Sequence, residues 1–254
     1  MFERTRPVRH PELMRVSDFQ RYLEDLEAAA SRIGREGPIT KPRWGSIGAS
    51  MMADLRGGRK SDEAEPLEVL AACVRHGKRV TLHLQCDAFA IPLTVFPTEL
   101  LLHCPEDLLE FLYTHLSSVR VLMVEPAMLR PPAPDEQAVS GEVRLHHALG
   151  PVLWKLAMRG LRTTLLPEIA GPAAFRITPG LDVTGLALTT AEAAAVHRLR
   201  RESATVRAIA DWAGFDRLRA ACLLNALYLQ SGLIVSRSHP SAIRDSWFSG
   251  LGAR

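Results

Sequence analysis

The sequence predicts an α+β fold in which a small sheet with its own helices is followed by a mainly helical unit. Helical and strand patterns alternate over residues 67–124, as expected where helices cover one face of a sheet. Residues 186–237 then show three short helical patterns and one apolar strand pattern, which is the element order of a winged helix. A chain of 254 residues is long enough to build cores in both parts.

The first predicted element, within an N-terminal region of residues 1–43, is an amphipathic helix. Residues 1–16 hold several arginines and two prolines and are predicted to be a poorly ordered arm. Ser17 and Gln20 have the spacing of a capping box, which predicts that the helix begins there. Its apolar stripe comprises Phe19, Tyr22, Leu23, Leu26, Ala30 and Ile33. Such a stripe must pack on its own domain or on a partner, and both alternatives are left open.

Residues 44–130 are predicted to form the α+β sheet domain. The predicted helices are 67–75 and 105–116, and the predicted strands are 80–84, 91–96, 100–103 and 119–124. Alternation within the first strand places Val80, Leu82 and Leu84 on one face. Thr81 and His83 fall on the opposite face. The helices are therefore expected to cover one face of the sheet.

Residues 131–185 are predicted to be a Pro-rich linker followed by a helical connector. A helix is expected near 151–157. The stretch after Arg162 is expected to be irregular, because glycine and proline recur in it. His146 and His147 are expected to be exposed beside a loop.

The predicted winged-helix-like unit, residues 186–237, carries start signals for its helices. Thr189 and Glu192 form a capping box for the first helix, and Asp216 can cap the third. The predicted helices are about 190–201, 205–213 and 217–230, and the predicted strand is 233–235. The remaining residues, 238–254, are assigned to a tail.

Composition and charge exclude several broad classes of protein. The 31 basic and 28 acidic residues give a net charge of +3 and are scattered, which is not typical of a dedicated nucleic-acid or membrane-surface binder. No apolar run approaches the ~18–20 residues that cross a bilayer, and the N-terminus lacks the apolar segment of a secretory signal. Four cysteines without a CxxC pair suit a reducing compartment. The sequence therefore predicts a cytoplasmic protein without membrane insertion.

The sequence carries no convincing catalytic or metal-binding pattern. His83 and Cys86, and likewise His103 and Cys104, superficially resemble zinc ligands. On strands, however, residues three apart or one apart point to opposite faces, so each pair would be split. The stretch GSIGAS at residues 45–50 has the wrong order for a nucleophile elbow. The sequence predicts no enzyme, no metal and no cofactor.

The third helix of the winged-helix-like unit decides whether DNA binding is a good interpretation. A recognition helix needs an exposed face of donors and acceptors that reach base edges. Here the helix is apolar nearly all round, which is typical of a buried helix. Its candidate reading residues are Arg217, Arg219 and Asn225, and no basic hairpin follows the strand. Nucleic acid is therefore not the expected partner, but a winged-helix DNA-binding transcriptional regulator remains the alternative.

Several segments resemble one known family. PLEVLAAC, HGKRVTLHL and IPLTVFPTELLLHCPEDLLEFL are similar to the helix-and-strand core of the PATAN domain, the N-terminal part of PatA-type response regulators. WKLAMRGLRTTLLPEIAG, PGLDVTGLALTTAE and VRAIADWAGFDRLRAACLLNALYLQSGLI resemble its helical second half. The resemblance covers about residues 45–237. It implies a bacterial signalling adaptor that acts by protein–protein contact, in chemosensory or type IV pilus motility systems, without catalytic residues.

The leading hypothesis is therefore a non-enzymatic cytoplasmic adaptor. Relatives of this kind often carry a receiver domain, but no receiver pattern follows Arg237, so a signal is expected to reach the chain by binding. Homodimerisation is left open. A second alternative is an effector that responds to a cyclic dinucleotide through Arg4, Arg6 and Arg9. The predicted protein-binding residues are Phe19, Tyr22, Leu26, Trp212, Trp247 and Phe248.

Overall fold

The computed structural model describes residues 14–32, 50–51, 53, 65–132 and 145–242, apart from the side chains of residues 26–27 and 29–32. The helices are α1 Val16–Arg32, α2 Pro66–His76, α3 Glu106–Thr114, α4 Leu149–Met158, α5 Thr190–Arg201, α6 Val206–Ala210 and α7 Arg217–Leu229. The strands are β1 Met14–Arg15, β2 Val80–Cys86, β3 Phe89–Phe96, β4 Leu101–His103, β5 Arg120–Pro126, β6 His146–Ala148, β7 Ala174–Ile177 and β8 Leu233–Ser236. Helices and antiparallel sheet together confirm the predicted α+β class.

The larger sheet has six antiparallel strands in the order β5-β2-β3-β4-β6, and β1 pairs with the start of β3. The predicted alternation in β2 is confirmed. Val80, Leu82 and Leu84 are buried in the main core, whereas His83 is half-buried on the opposite face. The sheet therefore has a core face and a second face.

One hydrophobic core joins the sheet to the helical part. It includes aliphatic side chains of β2 and β3 together with Leu153 of α4 and Leu224 of α7. Two polar links cross the same junction, because Arg162 pairs with Glu65 and Glu68 and Arg75 pairs with Glu168. Burial of this kind contributes most of the stability of a domain.

The predicted linker and connector, residues 131–185, contribute two strands that the sequence did not predict. β6 pairs with β4, so His146 and His147 lie half-buried in a strand, and the expectation that they are exposed beside a loop is wrong. The His147 ring shares a 2.9 Å hydrogen bond with the carbonyl of Cys104. β7 lies within the stretch expected to be irregular and pairs with β8. Both strands form because partners distant in sequence complete them.

The start signals of the helical part are confirmed. The Glu192 amide donates to Thr189 Oγ1 at 3.3 Å, and the Thr189 amide donates to Glu192 Oε2 at 2.9 Å, which is the predicted capping box. Asp216 Oδ1 accepts from the Arg219 amide at 2.7 Å and caps α7. Three helices and a strand follow in the predicted order.

The strand partner of β8 differs from that of a winged helix. β7, which pairs with β8, precedes α5 in the chain, and residues 237–242 add no further strand to the described part. In a winged helix a hairpin after the third helix supplies this pairing. The winged-helix assignment therefore stays a prediction. No helix in the described ranges is both long enough and apolar enough to span a bilayer.

Candidate protein-binding surface

Helix α1 covers part of the second face of the sheet through one aromatic residue. Phe19 is 3% exposed, packs with Ala90 and Met123, and stacks on the His83 ring with 4.9 Å between centroids. His83 in turn lies 2.8 Å from Glu125. Phe19 is thus occupied by its own sheet, which corrects the prediction that it is offered to a partner.

The other predicted residues of α1 are not placed in the same way. Tyr22 is 50% exposed and remains available at the surface. The side chain of Leu26 lies outside the described residues. The apolar stripe of α1 was expected to pack either on its own domain or on a partner. For Phe19 the first alternative holds.

Trp212 lies half-buried at the end of α6. Its ring packs partly against the main core, and the guanidinium of Arg198 stands 4.5 Å above it. Arg198 also pairs with Glu202. A tryptophan so placed is held by the fold, and its role in binding stays a prediction. Trp247, Phe248 and Arg4, Arg6 and Arg9 lie outside the described residues.

The residues predicted to read DNA are not presented together. Asn225 is 0% exposed. Its Oδ1 accepts from the Leu166 amide at 2.9 Å, and its Nδ2 donates to the Thr164 carbonyl at 2.8 Å. Asn225 therefore cannot reach a base edge, and that part of the alternative is wrong. Arg219 is exposed but pairs with Glu192 at 2.9 Å, whereas the exposed Arg217 makes no ion pair with a described residue.

The four cysteines are unsuited to nucleophilic chemistry. All are free and buried. Burial raises the pKa of Cys73 far above its ordinary value and raises the pKa of Cys222 to about 11. A thiol that is protonated and buried at neutral pH is a poor nucleophile. Cys86 and Cys104 are in the core, and no group of His, Cys, Asp or Glu within the described ranges is arranged to hold a metal ion.

The turn between β3 and β4 carries an unusual residue that the sequence did not single out. Leu100 was predicted to begin a strand, but the strand begins at Leu101 and Leu100 ends the turn with φ of +55°. Its amide donates to the Pro97 carbonyl at 3.3 Å and its carbonyl accepts from the Leu149 amide at 2.8 Å. These two bonds hold the backbone in the left-handed region, where a leucine costs about 1–2 kcal/mol.

The side chain of Leu100 gains no burial from this conformation. It is 68% exposed. The other described non-glycine residues with positive φ are Asp87 and Ser231, which are polar. A bulky residue with positive φ is an outlier that calls for an explanation. Here packing within the chain does not supply one.

A second exposed apolar segment lies at the same end of the sheet. Met128 is 88% exposed and Leu129 is exposed beside it. The Ala127 amide donates to the Arg79 carbonyl at 3.2 Å, and the Arg79 guanidinium pairs with Glu99, the neighbour of Leu100. Arg79 therefore links the two segments.

We call this region the Leu100 surface. It comprises Lys78, Arg79, Glu99, Leu100, Met128, Leu129 and Arg130. Aliphatic side chains beside arginine on an exposed rim are a composition suited to protein contact. The one sequence signal for it was the turn-forming Pro97-Thr98 that precedes three leucines, which indicates a turn but not the conformation of its last residue.

No protein-family model, curated protein or solved structure matches the chain. The resemblance to the PATAN domain therefore remains a prediction carried by the quoted segments.

Proposed function

We propose that the protein is a non-enzymatic signalling adaptor that works in the cytoplasm by protein–protein contact, and that the Leu100 surface receives its partner. The observation that carries the proposal is Leu100 itself, a leucine held at φ of +55° with 68% of its surface exposed. The left-handed conformation costs stability, and the exposed side chain adds none. Contact with a partner protein explains both features.

Two further arguments support this class of function. The four cysteines are buried, so their thiols lack the access that covalent catalysis requires. Burial also raises the pKa of Cys222 to about 11 and that of Cys73 further, which keeps these two thiols protonated at neutral pH. The resemblance to the PATAN domain suggests a bacterial adaptor, and chemosensory or type IV pilus regulation as the pathway. Tyr22 and Trp212 are secondary contacts in this proposal, since both remain at least partly exposed.

The experiment is capture of partners from the native cytoplasm after nuclease treatment, with three variants beside the wild type. Leu100→Asn removes the apolar side chain and suits a left-handed turn. Leu218→Asn is the matched control, because Leu218 is also exposed but lies on α7. Arg217→Glu/Arg219→Glu tests the DNA-binding alternative.

We expect the same proteins with the wild type, with Leu218→Asn and with the double arginine variant, and about tenfold less of them with Leu100→Asn. Unchanged capture by Leu100→Asn would remove the Leu100 surface from the proposal. Recovery of DNA that is lost with nuclease and with the arginine variant would favour the regulator instead.

A further inference from the structure

The charges around the Leu100 surface are segregated. Residues 65–132 contain five lysines and arginines and eight carboxylates. Three of those five cations, Lys78, Arg79 and Arg130, belong to the Leu100 surface, against one carboxylate, Glu99. The sheet part is thus acidic as a whole and basic at this end.

Among the described residues, the basic character of the Leu100 surface is not cancelled by nearby carboxylates. Arg79 and Glu99 pair with each other, so they contribute no net charge. Lys78 and Arg130 are exposed, and no carboxylate of the described residues pairs with either. Glu125, the nearest other acid along β5, is directed to the second face of the sheet, where it bonds to His83. Two positive charges therefore flank the exposed apolar side chains.

We infer that the Leu100 surface binds an acidic amphipathic segment of a partner protein, with apolar side chains against Leu100 and Met128 and carboxylates toward Lys78 and Arg130. The inference rests on the proposed function and names the chemistry of its partner. Charges at the rim of an apolar contact select the partner and raise the association rate, whereas the apolar centre supplies most of the affinity.

A protein segment fits this surface better than an anionic membrane does. Recruitment to a lipid surface through charge takes clusters of about 4–8 basic residues. Here the surplus is two charges, and the apolar residues sit on a turn that is bonded to Leu149 at Leu100 and on a short loop that is bonded to Arg79 at Ala127. So small a patch suits a few specific side chains of a partner.

The test begins with a photocrosslinking amino acid, p-benzoylphenylalanine, in place of Met128 in the full chain, irradiated in the native cytoplasm. The crosslinked segment is identified by mass spectrometry and synthesised as a peptide. Its Kd is then measured with the wild type, Leu100→Asn and Lys78→Glu/Arg130→Glu, at about 0.05 M and about 0.5 M salt. Arg201→Glu/Arg217→Glu, on exposed residues of α5 and α7, is the matched control for the change in charge.

The inference predicts that the crosslinked segment carries a surplus of Asp and Glu among apolar residues. Leu100→Asn should weaken its binding about tenfold. Lys78→Glu/Arg130→Glu should weaken it about tenfold at low salt and by less at high salt, because salt screens exposed charges. The control should leave the Kd within about twofold.

Distinct results overturn the two proposals. If Leu100→Asn weakens binding but the charge reversal does not, the Leu100 surface is a binding site and its acidic partner is wrong. If Leu100→Asn binds as tightly as the wild type, the proposed function fails at this surface. A crosslink to a second copy of the chain overturns the inference of an acidic protein segment. So does retention of the wild type on vesicles that contain phosphatidylserine, but not on pure phosphatidylcholine, if Lys78→Glu/Arg130→Glu abolishes it.

Discussion

Helix α7 and the β3–β4 turn each place one side chain contrary to its polarity. The helix buries a polar side chain, and the turn exposes an apolar one. In α7 the polar Asn225 is fully buried, whereas at the turn the apolar Leu100 is 68% exposed. The buried asparagine is explained by the fold, because its amide bonds to two backbone groups of the segment after α4. The exposed leucine has no such explanation. A buried polar side chain whose hydrogen bonds are satisfied within the fold contributes to stability. An exposed apolar side chain that packs on nothing in the fold points to function.

The largest effect is expected from removing the polar group in α7. Asn225→Leu would leave the buried Leu166 amide unpaired and would remove one donor from the Thr164 carbonyl, which also accepts from Arg162 Nε at 3.1 Å, at a cost of about 2 kcal/mol in the free energy of unfolding. Urea unfolding measures it. The control is Gln230→Leu, which breaks a 3.0 Å bond to the Gly150 carbonyl at a half-buried site and should cost less than about 1 kcal/mol. Equal losses in the two variants would contradict the account of Asn225.

The second-largest effect is expected at Phe19, an apolar residue whose burial, unlike the exposure of Leu100, is explained by packing. Phe19→Ala removes the one deeply buried side chain described for α1. We expect the amides of α1 to lose protection against hydrogen exchange, with little change in the sheet, because α1 contacts the rest of the chain through a small separate cluster.

Tyr22→Ala is the matched control for Phe19→Ala. Tyr22 lies on the same helix and is 50% exposed, so its removal should leave the exchange of α1 unchanged. If both variants loosen α1 equally, the helix is not held by Phe19.

The smallest effect concerns the thiol beside Asn225. The Cys222 thiol donates to the Arg162 carbonyl at 3.7 Å, and burial raises its pKa from 9.0 to about 11. Because the folded-state pKa is the higher one, the folded chain holds this proton between about pH 9 and 11 while the unfolded chain releases it, so stability falls as pH rises through that window. The pH dependence of the free energy of unfolding should be shallower in Cys222→Ala. An identical slope would contradict the raised pKa.

The sequence predicted local features well and long-range pairing poorly. The capping box at Thr189 and the cap at Asp216 are signals within four residues, and both are present in the structure. β6 and β7 were missed because each depends on a partner more than forty residues away, which no local pattern carries.

The candidate site shows the same limit. Asn225 could be seen as the polar residue of an apolar helix, but only the fold shows that the backbone of 164–166 occupies it. Leu100 followed a turn signal and preceded a strand, so the pattern assigned it to the strand. Its left-handed backbone is set by the Leu149 amide, which comes from a different part of the chain.

The measurement that tests the central claim most directly is the free energy of unfolding of Leu100→Asn against the wild type and Leu218→Asn. The fold does not need the leucine, which is 68% exposed, and asparagine tolerates the left-handed backbone at φ of +55°. Leu100→Asn should therefore be more stable than the wild type by about 0.5–1 kcal/mol, whereas Leu218→Asn should be slightly less stable because asparagine disfavours a helix. A loss of more than about 1 kcal/mol in Leu100→Asn would show that the leucine serves the fold, and would contradict the account.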